Sequence, residues 1–377
     1  MIKKNICIYN LGVGNTELLV QKMLYWQKKE INIKMVCPED IIPQFKKLIK
    51  DISYVKIPHC KIAKNKFVLV FELLKRSFTT CFFIPQITKD TDVLYSISSV
   101  LDVLLLPFFI KIFKSQITWT ALFENKVYLC RPGNFFIRLL AFWFYQISLL
   151  LLRKADKIFV ISPELKSFLI NRGFKKEKII LTGNAVDRGK IKKAIALKKH
   201  WCDGLFLGRI DEAKGVFDLV KICQLVVKKY PDFILWITGS GDQNTKNKLV
   251  KKIKELKLGK NIKLLGYVSG FKKFRLLANC RVFLFPSKSE SFGVALLEAI
   301  CSGKIAIAYD LPAYKTIYLN NELITVPLND INAFAKKVIN VLNQKRFKNI
   351  NGLKLLNSPQ YQYDHLAQLE MDNFKKR

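Results

Sequence analysis

The sequence predicts an α/β protein that contains two doubly wound parallel sheets. The chain has 377 residues, of which 50% are hydrophobic, and this is enough for two domains with separate cores. Short apolar runs alternate with segments of helical periodicity in both halves. Several runs end in glycine or proline, as the strands of a parallel sheet do before the turn to a helix.

The first half opens with the pattern of a parallel sheet. Residues 4–11 form a short apolar run that ends in Gly12-Val-Gly14, and residues 17–30 have helical periodicity. A second apolar run follows at 31–37. Strand, glycine turn, helix and strand in this order predict a first βαβ unit.

The rest of the first half is less regular. Residues 52–90 show no clear periodicity, whereas the apolar segment 135–152 is long enough for a helix. Because the basic segment 188–200 has no turn motif, we place a domain boundary there. Further strands are expected at 93–97, 116–120, 157–161 and 178–182.

The second half repeats the alternation more clearly, with a helix expected at 293–301. The expected strands are 205–207, 233–238, 261–265, 281–285 and 305–308, and four of them are followed by glycine or proline. Ligands of open parallel sheets bind where such loops gather, at the carboxyl ends of the strands. We therefore divide the chain into domains 1–190 and 200–345 and a C-terminal segment, 346–377.

The composition is strongly basic, with a net charge of +35. Such a charge attracts nucleic acid, anionic lipid or phosphorylated substrates. A codon bias toward A and T explains the abundance of Lys, Ile, Asn and Phe equally well. The nine cysteines form no C-x-x-C pair and there are three histidines, which favours a reducing compartment and argues against a zinc site. No signal peptide is recognisable, and the 14-residue apolar stretch 139–152 is too short to span a bilayer.

The strongest chemical signal is the run from Pro286 to Val294, which reads as strand, turn and helix. The first backbone N–H groups of a helix form an anion site. Glu290 precedes the expected helix and Glu298 follows eight residues later. On one helical face the two carboxylates would be about 12 Å apart, a separation that suits a ligand with a central diphosphate. Alternatively, Glu290 only caps the helix and Glu298 is a solvated charge.

A second signal is the pair of cations in the loop after strand 205–207. Arg209 and Lys214 can neutralise a departing diphosphate there. The alternative is a solvated charged turn, which is common in a lysine-rich chain.

Four motifs in this order resemble the family 4 glycosyltransferases, which are retaining enzymes of the GT-B fold. The motifs are Gly208-Arg209 with Lys214-Gly215, Gly239-Ser-Gly241-Asp242, Gly266-Tyr-Val, and Pro-Ser-x-x-Glu-x-Phe-Gly from Pro286 with a second glutamate at Glu298. The resemblance is clear over 155–377. It implies two Rossmann-like domains facing across a cleft, with the acceptor side in 1–190, the nucleotide-sugar in 200–345, and 346–377 crossing back to the first domain.

The resemblance also implies roles for individual residues. Arg209 and Lys214 would bind the donor diphosphate and stabilise its leaving charge. Glu290 would contact hydroxyls of the donor sugar and Glu298 those of the ribose. The backbone of four residues would hold the sugar and the phosphates: Ser291, Phe292, Gly293 and Val294. Gly14 would let the N-terminal domain approach the donor. Gly266 and Tyr267 would face the nucleobase.

The sequence departs from the family where many members have a histidine in the N-terminal domain. This chain reads Thr120-Ala-Leu-Phe-Glu124 there. Glu124 could substitute as a polar group, although a loop carboxylate is more often solvated. Asp90-Thr-Asp92 matches a metal motif of a different glycosyltransferase fold, but it precedes a strand here. We expect no metal and no cofactor, since cations would hold the phosphates and the nucleotide-sugar is a co-substrate.

The predicted function is retaining transfer of a sugar from a UDP- or GDP-sugar to a glycan or lipid-linked acceptor, in cell-surface glycan assembly. The expected location is cytoplasmic and peripheral on the inner face of the membrane, with contacts from basic side chains and from part of the helix 135–152 together with 107–113. Alternatively, the helix 135–152 is buried against the sheet of the N-terminal domain. A basic nucleic-acid-binding protein would explain the charge but not the motifs, so no nucleic acid is expected. An inactive glycosyltransferase-like protein is the third hypothesis.

Overall fold

The chain forms two compact units. The first comprises Met1–Gly183 and Tyr363–Arg377, and the second comprises Asn184–Gln362. The structure, a computed structural model, describes residues 4–11, 16–57, 75–76, 78–129, 135–197, 199–344 and 348–374.

The first unit alternates strands and helices. Its strands are β1 (Asn5–Tyr9), β2 (Asn32–Pro38), β3 (Ser53–Ile57), β4 (Val93–Ser96), β5 (Thr118–Phe123), β6 (Lys157–Val160) and β7 (Ile179–Leu181). Its helices are α1 (Thr16–Lys28), α2 (Ile42–Lys46), α3 (Ile84–Thr88), α4 (Leu101–Phe113), α5 (Phe135–Leu152) and α6 (Pro163–Asn171), and α15 (Tyr363–Asp372) joins them from the end of the chain.

All neighbouring strands of the first sheet are parallel, in the order β3-β2-β1-β4-β5-β6-β7. Strand β1 lies between β2 and β4, with Ile8 in register with both Met35 and Tyr95. The strand order therefore reverses at β1, which makes the β1–β4 junction the switch point of this sheet. Ile6 and Ile8 on one face of β1 and Cys7 and Tyr9 on the other are all buried, as in a sheet covered on both faces.

The second unit has the same architecture. Its strands are β8 (Cys202–Leu207), β9 (Leu235–Thr238), β10 (Ile262–Gly266), β11 (Cys280–Phe285), β12 (Ile305–Tyr309) and β13 (Ile324–Val326). Its helices are α7 (Arg188–Ala196), α8 (Val216–Val227), α9 (Gln243–Glu255), α10 (Gly270–Asn279), α11 (Val294–Cys301), α12 (Pro312–Ile317), α13 (Ile331–Leu342) and α14 (Ile350–Leu355). The parallel strands run β10-β9-β8-β11-β12-β13, so the switch point lies between β8 and β11.

Short polar side chains start several of these helices. Asp187 accepts a hydrogen bond from the Lys190 backbone N–H at 2.8 Å, and Asp242 accepts one from Thr245 at 2.9 Å. Each carboxylate satisfies a backbone donor that has no partner inside its helix.

The second unit extends further at both ends than the predicted domain 200–345. Residues 188–196, expected to be a boundary, form helix α7 because Asp187 caps it and Ile191 is buried. Helix α14 also belongs to this unit. The backbone approaches so closely there that a Cβ on Gly352 would lie 2.4 Å from the Ile300 carbonyl oxygen. Only the chain from Tyr363 onward joins the first unit, rather than all of 346–377.

The last helix, α15, is fixed to the first unit by a buried ion pair. Lys22 Nζ lies 2.9 Å from Glu370 Oε1 and donates a hydrogen bond to the Tyr95 hydroxyl at 2.8 Å. Trp26 Nε1 donates to the Ala367 carbonyl oxygen at 2.9 Å. The side chains of Lys22 and Glu370 are only 3% and 2% exposed, so each charge depends on the other for neutralisation.

Helices α4 and α5 carry many outward apolar side chains. Phe113 is 81% exposed, Phe136 is 73% exposed and Trp143 is 59% exposed. In the part of the chain that the structure describes, no helix has the length and apolar character needed to cross a membrane.

Replacing Lys22 with Met is expected to destabilise the chain by about 3 kcal/mol, because the Glu370 carboxylate would remain buried without a cation. Burial raises the pKa of Glu370 and Lys22 opposes that rise. The variant protein would therefore fold more easily when the Glu370 carboxyl is protonated. Its loss of stability relative to the wild type should grow as the pH rises. Urea unfolding at pH 5 and pH 8 measures both effects.

Lys56→Met is the matched control. Lys56 pairs with Glu39 at 3.0 Å, but these side chains are 64% and 68% exposed. Its removal should cost less than about 1 kcal/mol. Equal losses in the two variants would show that the Lys22–Glu370 pair does not anchor α15.

Candidate functional site

The candidate site lies at the carboxyl ends of β8 and β11, on either side of the switch point of the second sheet. The loop after β8 carries Arg209 and Lys214, and the loop after β11 carries Glu290. Ligands of doubly wound sheets bind at this position, because the two loops diverge from adjacent strands there.

The two loops are in direct backbone contact. The Lys288 backbone N–H donates to the Ala213 carbonyl oxygen at 2.8 Å. Gly215 has a φ of 72°, and a Cβ at this position would lie 1.8 Å from the Pro286 carbonyl oxygen. Glycine is therefore required at 215 by both the conformation and the close approach.

The loops after β9 and β10 join the same cluster. The Ile210 backbone N–H donates to the Ser240 carbonyl oxygen at 2.7 Å, and Gly239 donates to Gly266 at 2.9 Å. A Cβ on Gly239 would lie 1.7 Å from the Gly208 carbonyl oxygen. The glycines that ended the predicted strands thus allow four loops to pack against one another.

Lys214 and Glu290 form an ion pair across the first two loops. Lys214 Nζ lies 2.5 Å from Glu290 Oε1, and the two side chains are 16% and 11% exposed. Arg209 differs, because its side chain is 71% exposed and its contact with Asp211 is 3.4 Å long. The sequence-predicted residues Arg209, Lys214 and Glu290 therefore lie on neighbouring loops, one cation exposed and the other neutralised.

Glu298 is buried in helix α11. It pairs with Lys273 of α10, with Nζ and Oε1 2.5 Å apart and side chains 13% and 5% exposed. Lys273 was not predicted from the sequence, because no local pattern distinguishes it among 64 Lys and Arg residues. The alternative that Glu298 is a solvated charge is wrong.

A third pair, also missed from sequence, supports the loop after β11. Lys288 Nζ lies 3.0 Å from Asp218 of α8, and the Tyr309 hydroxyl donates to the same carboxylate at 3.0 Å. Burial, followed by the nearby Asp218, raises the pKa of Tyr309, so the phenol remains protonated and continues to donate.

Helix α11 begins later than the sequence predicted, at Val294 instead of residue 293. Gly293 precedes it with a φ of 79°, and a Cβ there would lie 3.3 Å from the Tyr314 ring. Phe292 is buried and Ser291 is partly buried. Because Glu290 lies before the helix, it does not share a helical face with Glu298, contrary to the prediction from the sequence. The helical rise therefore does not give the distance between the two carboxylates.

Three further residues were predicted on the donor side: Gly266, Tyr267 and Gly14. Gly266 ends β10 with a φ of 70°, and its carbonyl oxygen also accepts from Thr238 Oγ1 at 2.7 Å. Tyr267 is 73% exposed. Gly14 lies outside the described residues.

In the first unit, Glu124 follows β5 and is partly buried. Burial raises the pKa of Glu124 to about 7, with Lys22 lowering it and Glu370 raising it further. It is therefore not the solvated loop carboxylate that is the more common case. Asp92, part of the Asp90-Thr-Asp92 motif, accepts a hydrogen bond from the Asn5 backbone N–H at 2.8 Å. Across the described ranges, no group of three His, Cys, Asp or Glu residues could hold a metal ion.

The fold and the β8–β11 loops define a doubly wound α/β protein with a candidate ligand site at the switch point of its second sheet. Comparison with known proteins shows which family its second unit resembles. Residues 187–352 match the family model for glycosyl transferases group 1. A 171-residue region is 28% identical to the phosphatidyl-myo-inositol mannosyltransferase of Mycolicibacterium smegmatis, covering 44% of this chain and 43% of that protein. The matched region thus spans about two fifths of that relative's length.

Solved structures give the fold of the whole chain, which is GT-B. Sucrose-phosphate synthase from Thermosynechococcus elongatus superposes with a TM-score of 0.80 at 16% identity, over 99% of this chain and 98% of that chain. HepE from Anabaena, solved in complex with UDP and glucose, superposes with a TM-score of 0.73 at 13% identity, over 98% of each chain.

Replacing Gly215 with Ala is expected to cost at least about 3 kcal/mol of unfolding free energy, because the new Cβ collides with a backbone carbonyl that cannot rotate away. Gly266→Ala is the matched control. Its φ of 70° is similar, but nothing lies within 4 Å of the added Cβ, so the cost should be about 1 kcal/mol. Chemical unfolding followed by tryptophan fluorescence compares the two. Similar costs would mean that the contact with Pro286 does not constrain the loop.

Proposed function

We propose that the chain is a glycosyltransferase that moves a sugar from a nucleotide-sugar donor, UDP- or GDP-linked, to an acceptor. The observation that carries the proposal is the Lys214–Glu290 pair beside the exposed Arg209, at the switch point of the second sheet. Cations at this position can pair with the negative charges of a diphosphate. A carboxylate next to them can accept hydrogen bonds from sugar hydroxyls.

Each side chain has a distinct role in the proposed complex. Arg209 and Lys214 bind the diphosphate, aided by the backbone N–H groups of residues 291–294 before and at the start of α11. Glu290 accepts hydrogen bonds from the sugar and Glu298 from the ribose. Since Lys214 and Lys273 already contact these two carboxylates, both acids are positioned before the donor arrives.

The proposed chemistry retains the configuration of the anomeric carbon. The bond from this carbon to the diphosphate oxygen breaks, and its electron pair leaves with the nucleoside diphosphate. The acceptor oxygen then bonds to the carbon from the same face and loses its proton to the departing diphosphate. Arg209 and Lys214 stabilise the growing negative charge, so we propose that neither metal nor cofactor takes part.

The names of related proteins support the donor and the acceptor classes. HepE was solved with UDP and glucose, which supports a nucleotide-sugar donor. The mannosyltransferase of Mycolicibacterium smegmatis is named for phosphatidyl-myo-inositol, which supports a lipid-linked or glycan acceptor in cell-surface assembly. A nucleic-acid-binding role would not explain why Lys214, Lys273 and Lys288 each pair with a carboxylate near the candidate site. The Lys214–Glu290 pair beside the switch point also favours an active enzyme over an inactive homologue.

A screen of UDP- and GDP-sugars for hydrolysis and transfer, run in EDTA, tests the function. We expect one donor class to be consumed by the wild type, and Arg209→Ala to lower kcat about 100-fold while KM changes less. The fold should persist in this variant, since Arg209 is 71% exposed and has one long contact with Asp211.

Lys221→Ala is the control for the loss of one exposed cation in the same unit, and its kcat should equal that of the wild type. Equal kcat in the Arg209 and Lys221 variants would remove the leaving-group role. Complete inhibition by EDTA that Mg²⁺ reverses would contradict the metal-free mechanism and direct attention to Asp90 and Asp92.

We also propose that the protein works on the cytoplasmic face of a membrane without crossing it. Exposed apolar side chains of α4 and α5, among them Phe113, Phe136 and Trp143, suit insertion at the lipid interface. The net charge of +35 adds attraction to anionic headgroups, at about 1 kcal/mol for each basic side chain that reaches the surface.

Vesicle flotation tests this location. The wild type should float with anionic vesicles at low salt, and flotation should weaken in high salt as the electrostatic part is screened. The double variant Phe113→Ser and Phe136→Ser should bind at least about tenfold more weakly. Replacing two other exposed apolar residues, Leu319 and Leu328 of the second unit, with Ser is the control and should change nothing. Failure of the wild type to float at low salt would exclude a membrane role.

A further inference from the structure

The second unit contains a buried phenol beside Glu290 that the proposed chemistry does not use. Tyr314 lies on α12, which follows β12, and its side chain is 1% exposed. Strand β12 runs beside β11, with Ala308 in register with Phe285. Since the loop after β11 carries Glu290, the segments with Glu290 and Tyr314 follow the same ends of two adjacent strands.

Gly293 shows where the Tyr314 hydroxyl lies relative to helix α11. A Cβ at position 293 would lie 3.4 Å from Tyr314 Oη and 3.3 Å from its Cε1. A side chain at 293 would therefore crowd the hydroxyl, whereas glycine leaves it approachable from the start of the helix. In the proposed complex the diphosphate binds at the backbone N–H groups of residues 291–294, so the sugar attached to it lies close by.

The Tyr314 hydroxyl has no hydrogen-bond partner in the part of the chain that the structure describes, although Oη is buried. Buried hydroxyls normally form hydrogen bonds, because a buried polar group without a partner costs free energy. An exception of this kind beside a candidate ligand site is explained if the ligand supplies the missing partner.

Electrostatics keep this hydroxyl available as a donor. Burial is the main reason that the pKa of Tyr314 is raised well above its ordinary value, and the nearby Glu290 carboxylate raises it further. The phenol therefore stays protonated at neutral pH. In the proposed complex Glu290 accepts a hydrogen bond from one sugar hydroxyl, whereas Tyr314 can donate one to another.

A second phenol on the same segment lies further from the start of α11. Tyr318 directly follows α12, and its ring centroid is 6.0 Å from that of Tyr314. Its buried hydroxyl also lacks a partner among the described residues. The atoms nearest to a Cβ at Gly293 belong to Tyr314 and Leu296, and not to Tyr318. Position thus distinguishes two phenols that are otherwise alike.

We propose that the Tyr314 hydroxyl donates a hydrogen bond to a hydroxyl of the transferred sugar and so determines which nucleotide-sugar the protein uses. The proposal rests on the proposed glycosyltransferase function and adds a specificity-determining residue to its donor site. Because the hydroxyl is buried, the turn at Gly293, which has no side chain to displace, shifts when the sugar binds.

This contact would distinguish sugars that differ in one hydroxyl. A sugar with the hydroxyl in the required place satisfies both Glu290 and Tyr314. A sugar that lacks it, or holds it in another orientation, leaves the phenol buried without a partner. A site built to bind a hydroxyl in this way rejects such an analogue more strongly than an apolar site does.

The variant Tyr314→Phe tests the contact, because it removes the hydroxyl and keeps the ring. The full chain is offered UDP-glucose, UDP-galactose, UDP-N-acetylglucosamine and GDP-mannose. For the donor that the wild type uses best, kcat/KM should fall about tenfold in the variant, as expected for the loss of one buried hydrogen bond. The ratio of kcat/KM between the best and the second-best donor should shrink about fivefold, since the discriminating group is gone.

Tyr318→Phe is the matched control, because it removes a similar hydroxyl from the same segment. Its kcat/KM for every donor should equal that of the wild type. Equal losses in the two variants would overturn the proposal, since both phenols would then act on Glu290 only through a general electrostatic effect. Wild-type kcat/KM in Tyr314→Phe would overturn it as well.

Urea unfolding separates a ligand contact from a structural role. The loss of a hydroxyl that has no partner in the protein should leave the unfolding midpoint of Tyr314→Phe at or above that of the wild type. A midpoint below those of the wild type and Tyr318→Phe would show that the hydroxyl has a partner in the folded chain, and this result would also contradict the proposal.

Titration calorimetry with UDP and GDP separates this proposal from the proposed function. These nucleotides carry no sugar, so Tyr314→Phe should bind them as tightly as the wild type does. A tenfold weaker affinity would place the hydroxyl on the diphosphate instead of the sugar. If the wild type neither binds UDP or GDP nor consumes any donor, the glycosyltransferase function itself fails. If it consumes a donor and Tyr314→Phe does so equally well, only the Tyr314 contact fails.

Discussion

The contact between Gly215 and the Pro286 carbonyl oxygen is the constraint on which the proposed donor site depends. It forces the loops after β8 and β11 together, since no side chain fits between them. Lys214 precedes that contact and Glu290 follows it, so the 2.5 Å ion pair is a consequence of the backbone approach. Lys288 is brought to Asp218 by the same junction. Backbone packing thus fixes the charges before any ligand binds.

Electrostatic pairing gives this very basic chain an ordered site. Lys214, Lys273 and Lys288 each contact a carboxylate from another element of the second unit. Their side chains are 16%, 13% and 32% exposed, whereas Arg209 is 71% exposed. Paired lysines hold the acids in position, and the exposed arginine provides charge that a diphosphate can reach. In the proposed complex, this division lets a chain with a net charge of +35 bind one anion at a defined position.

In the first unit one buried cluster serves two purposes. The Lys22–Glu370 pair anchors α15, and the same two charges act on Glu124, which follows β5. Burial raises the pKa of Glu124, Lys22 lowers it and Glu370 raises it again. Helix α15 therefore contributes both to the stability of the first unit and to the protonation of Glu124, although 246 positions in the sequence, from 124 to 370, separate the two acids.

The sequence alone determined the features that repeat locally. The period of apolar residues predicted α1, the length of the apolar segment 135–152 predicted α5, and short apolar runs predicted most strands. Glycine and proline after strands predicted the loops that carry Arg209, Lys214 and Glu290. It did not reveal Lys273, Asp218 or the burial of Glu124. Partners distant in sequence meet only when helices pack, and one lysine or carboxylate among many has no local signature. Tertiary structure also decided that 188–196 is a helix of the second unit, because the burial of Ile191 depends on neighbours far along the chain.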